Sequence, residues 1–151
     1  MIIFSETKNI GSKKIFELFE SVGWIQKGNG NNDCNDAIAN HVLKVNKVNF
    51  EDLFQHAFLN STYVASAWDG DKLIGIVRVI SDKVTRSIVY DLIVHPDYQK
   101  RGIGTKLGEM CLKKFPKTQF TIGTSSKNFD FYKKKGFKNS YNYMEKESKY
   151  Y

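Results

Sequence analysis

Between Val94 and Thr105 the chain reads Val-His-Pro-Asp-Tyr-Gln-Lys-Arg-Gly-Ile-Gly-Thr, a combination suited to holding an anion. Gly102 and Gly104 let the backbone approach a ligand closely. Lys100 and Arg101 add mobile positive charge. A helix predicted to begin here leaves its first NH groups without intrahelical partners, at the positive end of its dipole. A diphosphate is a natural occupant of such a cradle. The same residues also suit a tight turn that binds nothing, and what surrounds the turn decides between the two.

Two elements must position it. Ahead lies Ser87-Ile88-Val89-Tyr90-Asp91-Leu92-Ile93-Val94, rich in β-branched and aromatic residues and closed by Pro96, which predicts a short, largely buried strand. Behind it, Ile103, Leu107, Met110 and Cys111 recur on one helical face until Phe115-Pro116 stops the helix. Upstream, residues 62–68 and 72–80 read as strands joined by the hairpin signal Asp69-Gly70-Asp71, and a third run, 84–94, follows the turn at Ser81-Asp82-Lys83. Residues 118–123 add a further strand. Ile2-Ile3-Phe4 is a short first strand, and residues 12–22 form an amphipathic helix ended by Gly23. Gly28–Asp33 is a polar loop, and residues 36–48 choose neither helical nor strand period. From an Asn49 cap, Phe50, Leu53, Phe54, Ala57 and Phe58 mark a core-facing helix.

With these elements in place, Gln99-x-x-Gly102-x-Gly104 after a strand ending Leu92-x-Val94-x-Pro96 resembles the acetyl-CoA pyrophosphate motif of the GNAT superfamily of N-acetyltransferases. Downstream, Phe131-Tyr132-Lys133-Lys134-Lys135-Gly136-Phe137 is similar to that family's second signature. Two motifs in the right order, about thirty residues apart, are far more specific than either alone. The resemblance covers residues 62–137 well and the first sixty poorly. It implies an α+β fold with a mixed, mostly antiparallel sheet, splayed central strands and flanking helices, in a single domain spanning residues 1–151. It also implies acetyl-CoA as co-substrate, no metal, and direct transfer to a primary amine in a ternary complex. Gly75-x-x-Arg78, Ser81-Asp82 and Asp91-Leu92-x-Val94-His95-Pro96 are similar to small bacterial and plastid amine acetyltransferases, which points to a small-molecule acceptor.

The resemblance carries roles residue by residue. Pantetheine in that family lies between the splayed strands, which assigns it the backbone of Leu92, Ile93 and Val94, with one NH of this strand facing the thioester oxygen. The turn from Gln99 through Lys100, Arg101, Gly102, Ile103 and Gly104 to Thr105 would hold the pyrophosphate, its NH groups from Lys100 onward donating and the Thr105 hydroxyl assisting. Tyr132 aligns with the tyrosine that protonates the departing CoA sulfur, a general acid; the alternative is an aromatic at a helix–core boundary. Many members carry Asn seven residues before that Tyr, where this chain has Ser125; Asn128, four before it, is the remaining candidate for a cofactor contact. For the general base, Asp91 is the candidate carboxylate beside a water chain, and Tyr90 is the catalytic-site candidate that would instead face the acceptor. Strand alternation sets Asp91 opposite Tyr90, and a buried ion pair of Asp91 with Arg78 is the alternative to catalysis. His41, His56 and His95 show no triad or ligand spacing. The N-terminal part is expected to wall the acceptor site, with residues 26–36 as a mobile cover. Its Glu17, Glu20, Asp33, Asp36, Glu51 and Asp52 would suit a cation or be solvated faces.

Composition bounds the rest. A length of 151 residues suits one domain with a real core. No apolar run approaches the roughly 18 residues of a membrane span, and Met1–Glu6 lacks a signal-peptide pattern; the expectation is a cytoplasmic protein without a membrane partner. Cys34 and Cys111 lack metal or redox spacing and read as free thiols. The net charge of +7 is dispersed and accompanied by no nucleic-acid motif, so a polyanionic small ligand such as CoA accounts for it better than a nucleic acid. Rival readings are a non-catalytic acyl-CoA-binding regulatory module, which would not need Tyr132, and an acetyltransferase acting on a protein or peptide amine. A homodimer is compatible with the chain, but no interface is legible.

Overall fold

The computed structural model describes residues 1–25 and 50–140. In chain order these form β1 (Ile2–Ser5), α1 (Ser12–Ser21), α2 (Phe50–Asn60), β2 (Tyr63–Asp69), β3 (Lys72–Ser81), β4 (Arg86–Val94), a 3₁₀ turn (Pro96–Tyr98), α3 (Ile103–Lys114), β5 (Gln119–Ile122), a second 3₁₀ turn (Ser126–Asn128) and α4 (Phe129–Lys133). The strands make one sheet in the order β1-β2-β3-β4-β5, antiparallel throughout except for the parallel pair β4–β5. The mixed, mostly antiparallel α+β arrangement is the one expected. The expectations for residues 26–36 and 36–48, for Cys34 and His41, and for the Asn49 cap lie outside the described residues.

Alternation along the strands gives the sheet two apolar faces, and each takes a helical layer. On one face α1 supplies Ile15, Leu18 and Phe19 and α2 supplies Phe54 and Phe58, against Val64, Leu73, Ile76 and Ile93. Phe19 meets Phe54 edge-on at 5.0 Å. Ala57 is exposed, so the buried stripe of α2 is narrower than its sequence spacing implies. On the other face α3 sets Ile103, Leu107, Cys111 and Phe115 against Ala65, Ile74, Val77, Val79 and Val89. Burial of each large aliphatic side chain contributes about 1.5–3 kcal/mol, enough to fix α3 to the sheet. Gly75 lets the helix come this close: a Cβ there would sit 3.1 Å from both Ile103 Cγ2 and Leu107 Cδ1, and 3.3 Å from the Ile93 carbonyl oxygen.

Two irregularities of β4 shape everything downstream. The first is a bulge: Arg78 pairs with Asp91 but Val79 pairs with Val89, so Tyr90 is an extra residue. The bulge exchanges the faces of the strand. Val89 lies in the α3 layer and Ile93 in the α1–α2 layer, although an unbroken alternation would put both on one side. The second is the short run of β5. Its pairing with β4 extends from Arg86↔Gln119 to Val89↔Ile122 and stops, leaving residues 90–94 without a strand on that side among the described residues.

The upstream end of β4 also differs slightly from expectation, beginning at Arg86 and not at Val84. Asp82 explains the delay, since its carboxylate accepts from the backbone NH groups of Val84 (2.8 Å), Thr85 (2.7 Å) and Arg86 (2.9 Å) and closes a turn over those residues. The Thr85 hydroxyl, which donates to Asp82 Oδ2, and these backbone bonds hold the Asp82 carboxyl well below the usual range.

Candidate active site

The turn after β4 has the geometry of an anion cradle. Lys100 (φ 60°) and Gly102 (φ 81°) both take left-handed backbone conformations, which turn successive NH groups toward one side. The first intrahelical bond of α3 runs from the Lys106 NH to the Gly102 carbonyl at 2.9 Å, so the NH groups of Gly102, Ile103, Gly104 and Thr105 precede the helical ladder. At Gly104 a Cβ would stand 3.4 Å from Val94 Cγ2 and 3.7 Å from Phe131 Cζ, which places the first turn of α3 against both the end of β4 and α4.

Side chains brace the turn. The Gln99 amide donates to the Val94 carbonyl at 3.0 Å, and His95 Nδ1 accepts from the Asp97 NH at 3.3 Å. The Tyr98 hydroxyl donates to Asp69 Oδ2 at 3.0 Å, tying the turn to the β2–β3 hairpin. The cations of Arg101 and Lys72 lie 5.2 and 5.5 Å from the Tyr98 ring centre. Lys100, Arg101 and Lys106 are exposed, so their charge is available to a ligand.

The open edge of β4 leads into this cradle, and its register shows which backbone groups it presents. The His95 NH donates to the Ile74 carbonyl at 2.8 Å, and the pairs Gly75↔Val94, Ile76↔Ile93 and Val77↔Leu92 continue the same register. In an antiparallel ladder hydrogen-bonded and non-hydrogen-bonded pairs alternate. The backbone groups of Ile93 therefore face β3, whereas those of Leu92 and Val94 face the gap. This corrects the expectation that Leu92, Ile93 and Val94 all offer backbone groups to a ligand there. Gln99 already engages the Val94 carbonyl, which leaves the Val94 NH and both groups of Leu92.

On the α1–α2 face, Tyr90 and Asp91 were expected on opposite sides of the strand. The bulge brings both to Arg78, because an extra residue breaks strict alternation. Arg78 Nε pairs with Asp91 Oδ2, and the guanidinium lies 5.1 Å from the Tyr90 ring centre and 5.3 Å from that of Phe58. The Asp91 side chain is 4% exposed and that of Arg78 14%. Asp91 is thus a buried carboxylate with a cationic partner, as the ion-pair alternative had it.

Tyr132 is 9% exposed, its ring edge-on to Phe131 (5.0 Å) and Phe137 (5.7 Å). Its hydroxyl makes no hydrogen bond among the described residues. Burial, with the nearby Cys111 thiol adding, pushes the phenol up to about 12, so it stays protonated at neutral pH. α4 ends at Lys133, and the turn after it closes at Gly136 (φ 86°), with the Phe137 NH donating to the Tyr132 carbonyl at 3.1 Å. Tyr132 borders a cleft of about 780 Å³ between β5 and α4, lined also by Phe120, Ile122 and Phe137. No β4 residue lines that cleft; Phe131 is the aromatic brought to Val94 and Gly104. Asn128 is exposed and donates to Thr124 Oγ1 at 3.2 Å. Among the described residues no group of three or more His, Cys, Asp or Glu side chains is placed to hold a metal ion, and no helix is long and apolar enough to cross a membrane.

A family model described as an acetyltransferase (GNAT) domain matches residues 35–148, well over half of the chain. The chain belongs to the GNAT acetyltransferase family. An uncharacterized N-acetyltransferase, ycf52, of Porphyra purpurea is 24% identical over 139 residues, covering 90% of this chain and 70% of that protein. A GNAT-family acetyltransferase structure from Streptococcus pneumoniae superposes with a TM-score of 0.70 at 24% identity, over 97% of this chain and all of that one. An aminoglycoside acetyltransferase from an uncultured soil metagenomic sample, solved with sisomicin, gives 0.69 at 16% identity, over 98% and 97% of the two chains. These likenesses extend the resemblance from two motifs to the fold of an N-acetyltransferase.

Within this GNAT fold, sequence reasoning missed three features. Gly75 was noted only as part of a spacing pattern, although its missing side chain admits α3 to the sheet. Gly108 joins Gly104 in a small-residue stripe on α3, where a Cβ would lie 4.0 Å from the stem of Lys135. Spacing four apart on a predicted helix was the available signal. Tyr98 gave no signal as an anchor, since its partner Asp69 lies in a separate hairpin.

Proposed function

We propose that this GNAT protein moves an acetyl group from acetyl-CoA to the primary amine of a small molecule by direct transfer in a ternary complex. One observation carries the reading: the edge of β4 at Leu92 and Val94, which no strand among the described residues pairs, runs directly into the NH groups ahead of the α3 ladder. Together they form a row of backbone donors and acceptors matched to an amide-containing arm that ends in a diphosphate. Acetyl-CoA supplies the activated acetyl thioester. Gly102, Ile103, Gly104 and Thr105 hold its diphosphate, with Lys100 and Arg101 as mobile counter-charges, and Leu92 and Val94 hold its pantetheine arm. Gln99 acts through the Val94 carbonyl and positions the turn. Tyr132, kept protonated by burial, serves as the proton donor to the leaving thiolate. A water or a carboxylate takes the proton from the amine. Asp91 serves as the ion-pair partner that orients Arg78, and Tyr90 forms part of the acceptor wall. That an aminoglycoside acetyltransferase shares the fold supports a small amine as acceptor.

Gly102→Val tests the cradle. A β-branched residue at φ 81° meets no neighbour within 4 Å but pays a conformational cost of about 1–2 kcal/mol, and the loop relaxes away from the geometry that aims its NH groups. Calorimetry should show acetyl-CoA affinity falling at least about tenfold, the equivalent of losing a single charge-assisted hydrogen bond. Unchanged affinity in a folded Gly102→Val protein refutes the cofactor site.

A further inference from the structure

Resting on that acetyl-transfer reading, we infer that the amine acceptor carries an anionic group, a carboxylate or a phosphate, and that Arg78 binds it. A guanidinium has five NH donors arranged as a fork. Among the described residues Nε alone is used, donating to Asp91, and the two Nη groups have no hydrogen-bond partner there. They are not sealed in the interior, since neither is a fully buried unpartnered atom. The side chain is nevertheless held firmly. Phe58 and Tyr90 both lie within 5.3 Å of the guanidinium carbon, and Asp91 fixes its edge. A planar fork held with one edge occupied and the other unused is pre-organised for an oxyanion, for which bidentate recognition is the strongest mode available to Arg.

Its place in the fold matches that task. Arg78 faces the α1–α2 side of the sheet, opposite the layer in which α3 begins the cradle. Its partner Asp91 immediately precedes Leu92, where β4 opens. A thioester lying along that edge would have the Arg78 fork close by on the sheet face away from α3. Next to Arg78 on the same face, Ile80 and its cross-strand partner Ile88 are exposed, as is Tyr90 at 46%, giving an apolar wall for the uncharged part of the acceptor. Asp91 balances one positive charge, but the chain as a whole carries +7, so an added anion is not repelled.

The test compares matched acceptors that differ only in the anion: phenylalanine with phenethylamine, and glucosamine 6-phosphate with glucosamine, each followed by CoA release. The expected result is that the anionic member of at least one pair is favoured by about tenfold or more in kcat/KM, as charge-assisted bonds to a fork should give. The pair that responds tells carboxylate from phosphate. Arg78→Lys keeps a cation for Asp91 but removes the fork; it should shrink the preference through the acceptor KM while acetyl-CoA affinity by calorimetry stays the same. In Arg78→Gln/Asp91→Asn, which removes both charges of the pair, calorimetric binding of the acceptor to the CoA-loaded protein should lose the preference without requiring turnover. The inference is overturned if the neutral members are used equally well, if the preference survives in both variants, or if neither pair is acetylated by a protein that binds acetyl-CoA. Failure of the wild type to bind acetyl-CoA overturns the cofactor reading itself and this inference with it.

Discussion

Replacing Tyr132 by Phe removes one hydroxyl and leaves the ring in its aromatic cluster with Phe131 and Phe137. Because the hydroxyl makes no hydrogen bond among the described residues, stability should change by no more than about 1 kcal/mol. The ring contacts persist, so the KM for acetyl-CoA should stay within about twofold, a change too small to indicate lost binding. Turnover should fall by about ten- to a thousand-fold, or roughly 1.4–4 kcal/mol of transition-state stabilisation, within or somewhat below the usual range for a lost general acid. The pH profile sharpens the test. With the phenol pushed up to about 12, only about one molecule in a thousand has lost that proton at pH 9. The wild type should therefore show no alkaline fall from this group below about pH 11, and any fall at lower pH that persists in Tyr132→Phe belongs to another residue. Steady-state kinetics over pH 7–9 with a thermal melt decides the matter. A Phe variant with wild-type turnover would leave Tyr132 as a core aromatic and return the proton-donor role to solvent.

Two further outcomes follow from the packing. Gly75→Val should lower stability by about 1–3 kcal/mol by overpacking against Ile103, Leu107 and the immovable Ile93 carbonyl, and should weaken acetyl-CoA binding as the start of α3 shifts; a melt equal to that of the wild type would show that α3 does not sit this close. Alkaline unfolding should be steep. Burial raises both Tyr132 (to about 12, from 10.0) and Cys111 (to about 11, from 9.0), so the folded state binds these protons more tightly than the unfolded chain. Their contribution is complete below pH 9 and is lost as pH rises through about 11 and 12, by roughly 2–3 kcal/mol each. Denaturant titrations at pH 8 and pH 11 on the wild type and Cys111→Ser should show the variant losing less between the two; equal losses would contradict the burial of that thiol.

What the sequence by itself determined is local. The periods of α1 and α3, the glycine pair beginning α3 and the hairpin at Gly70 each follow from a few neighbouring residues, and two motifs in order were enough to indicate the GNAT family. The Arg78–Asp91 pair was legible as complementary charge on adjacent predicted strands. The tertiary structure decided everything that depends on how distant segments align. Whether Tyr90 alternates with Asp91 or bulges depends on the register with β3, and no single strand carries that information. The opening of β4 depends on how far β5 pairs with it, and the orientation of the Ile93 backbone on which pairs of that ladder are hydrogen-bonded. Gly75 looks like any glycine in a strand until α3 is laid across it, and the Arg78 guanidinium is held only once Phe58, from another layer, has been placed beside it. In each case the deciding quantity is a contact between residues far apart in the chain, whose geometry is set by packing the two faces of one sheet at once.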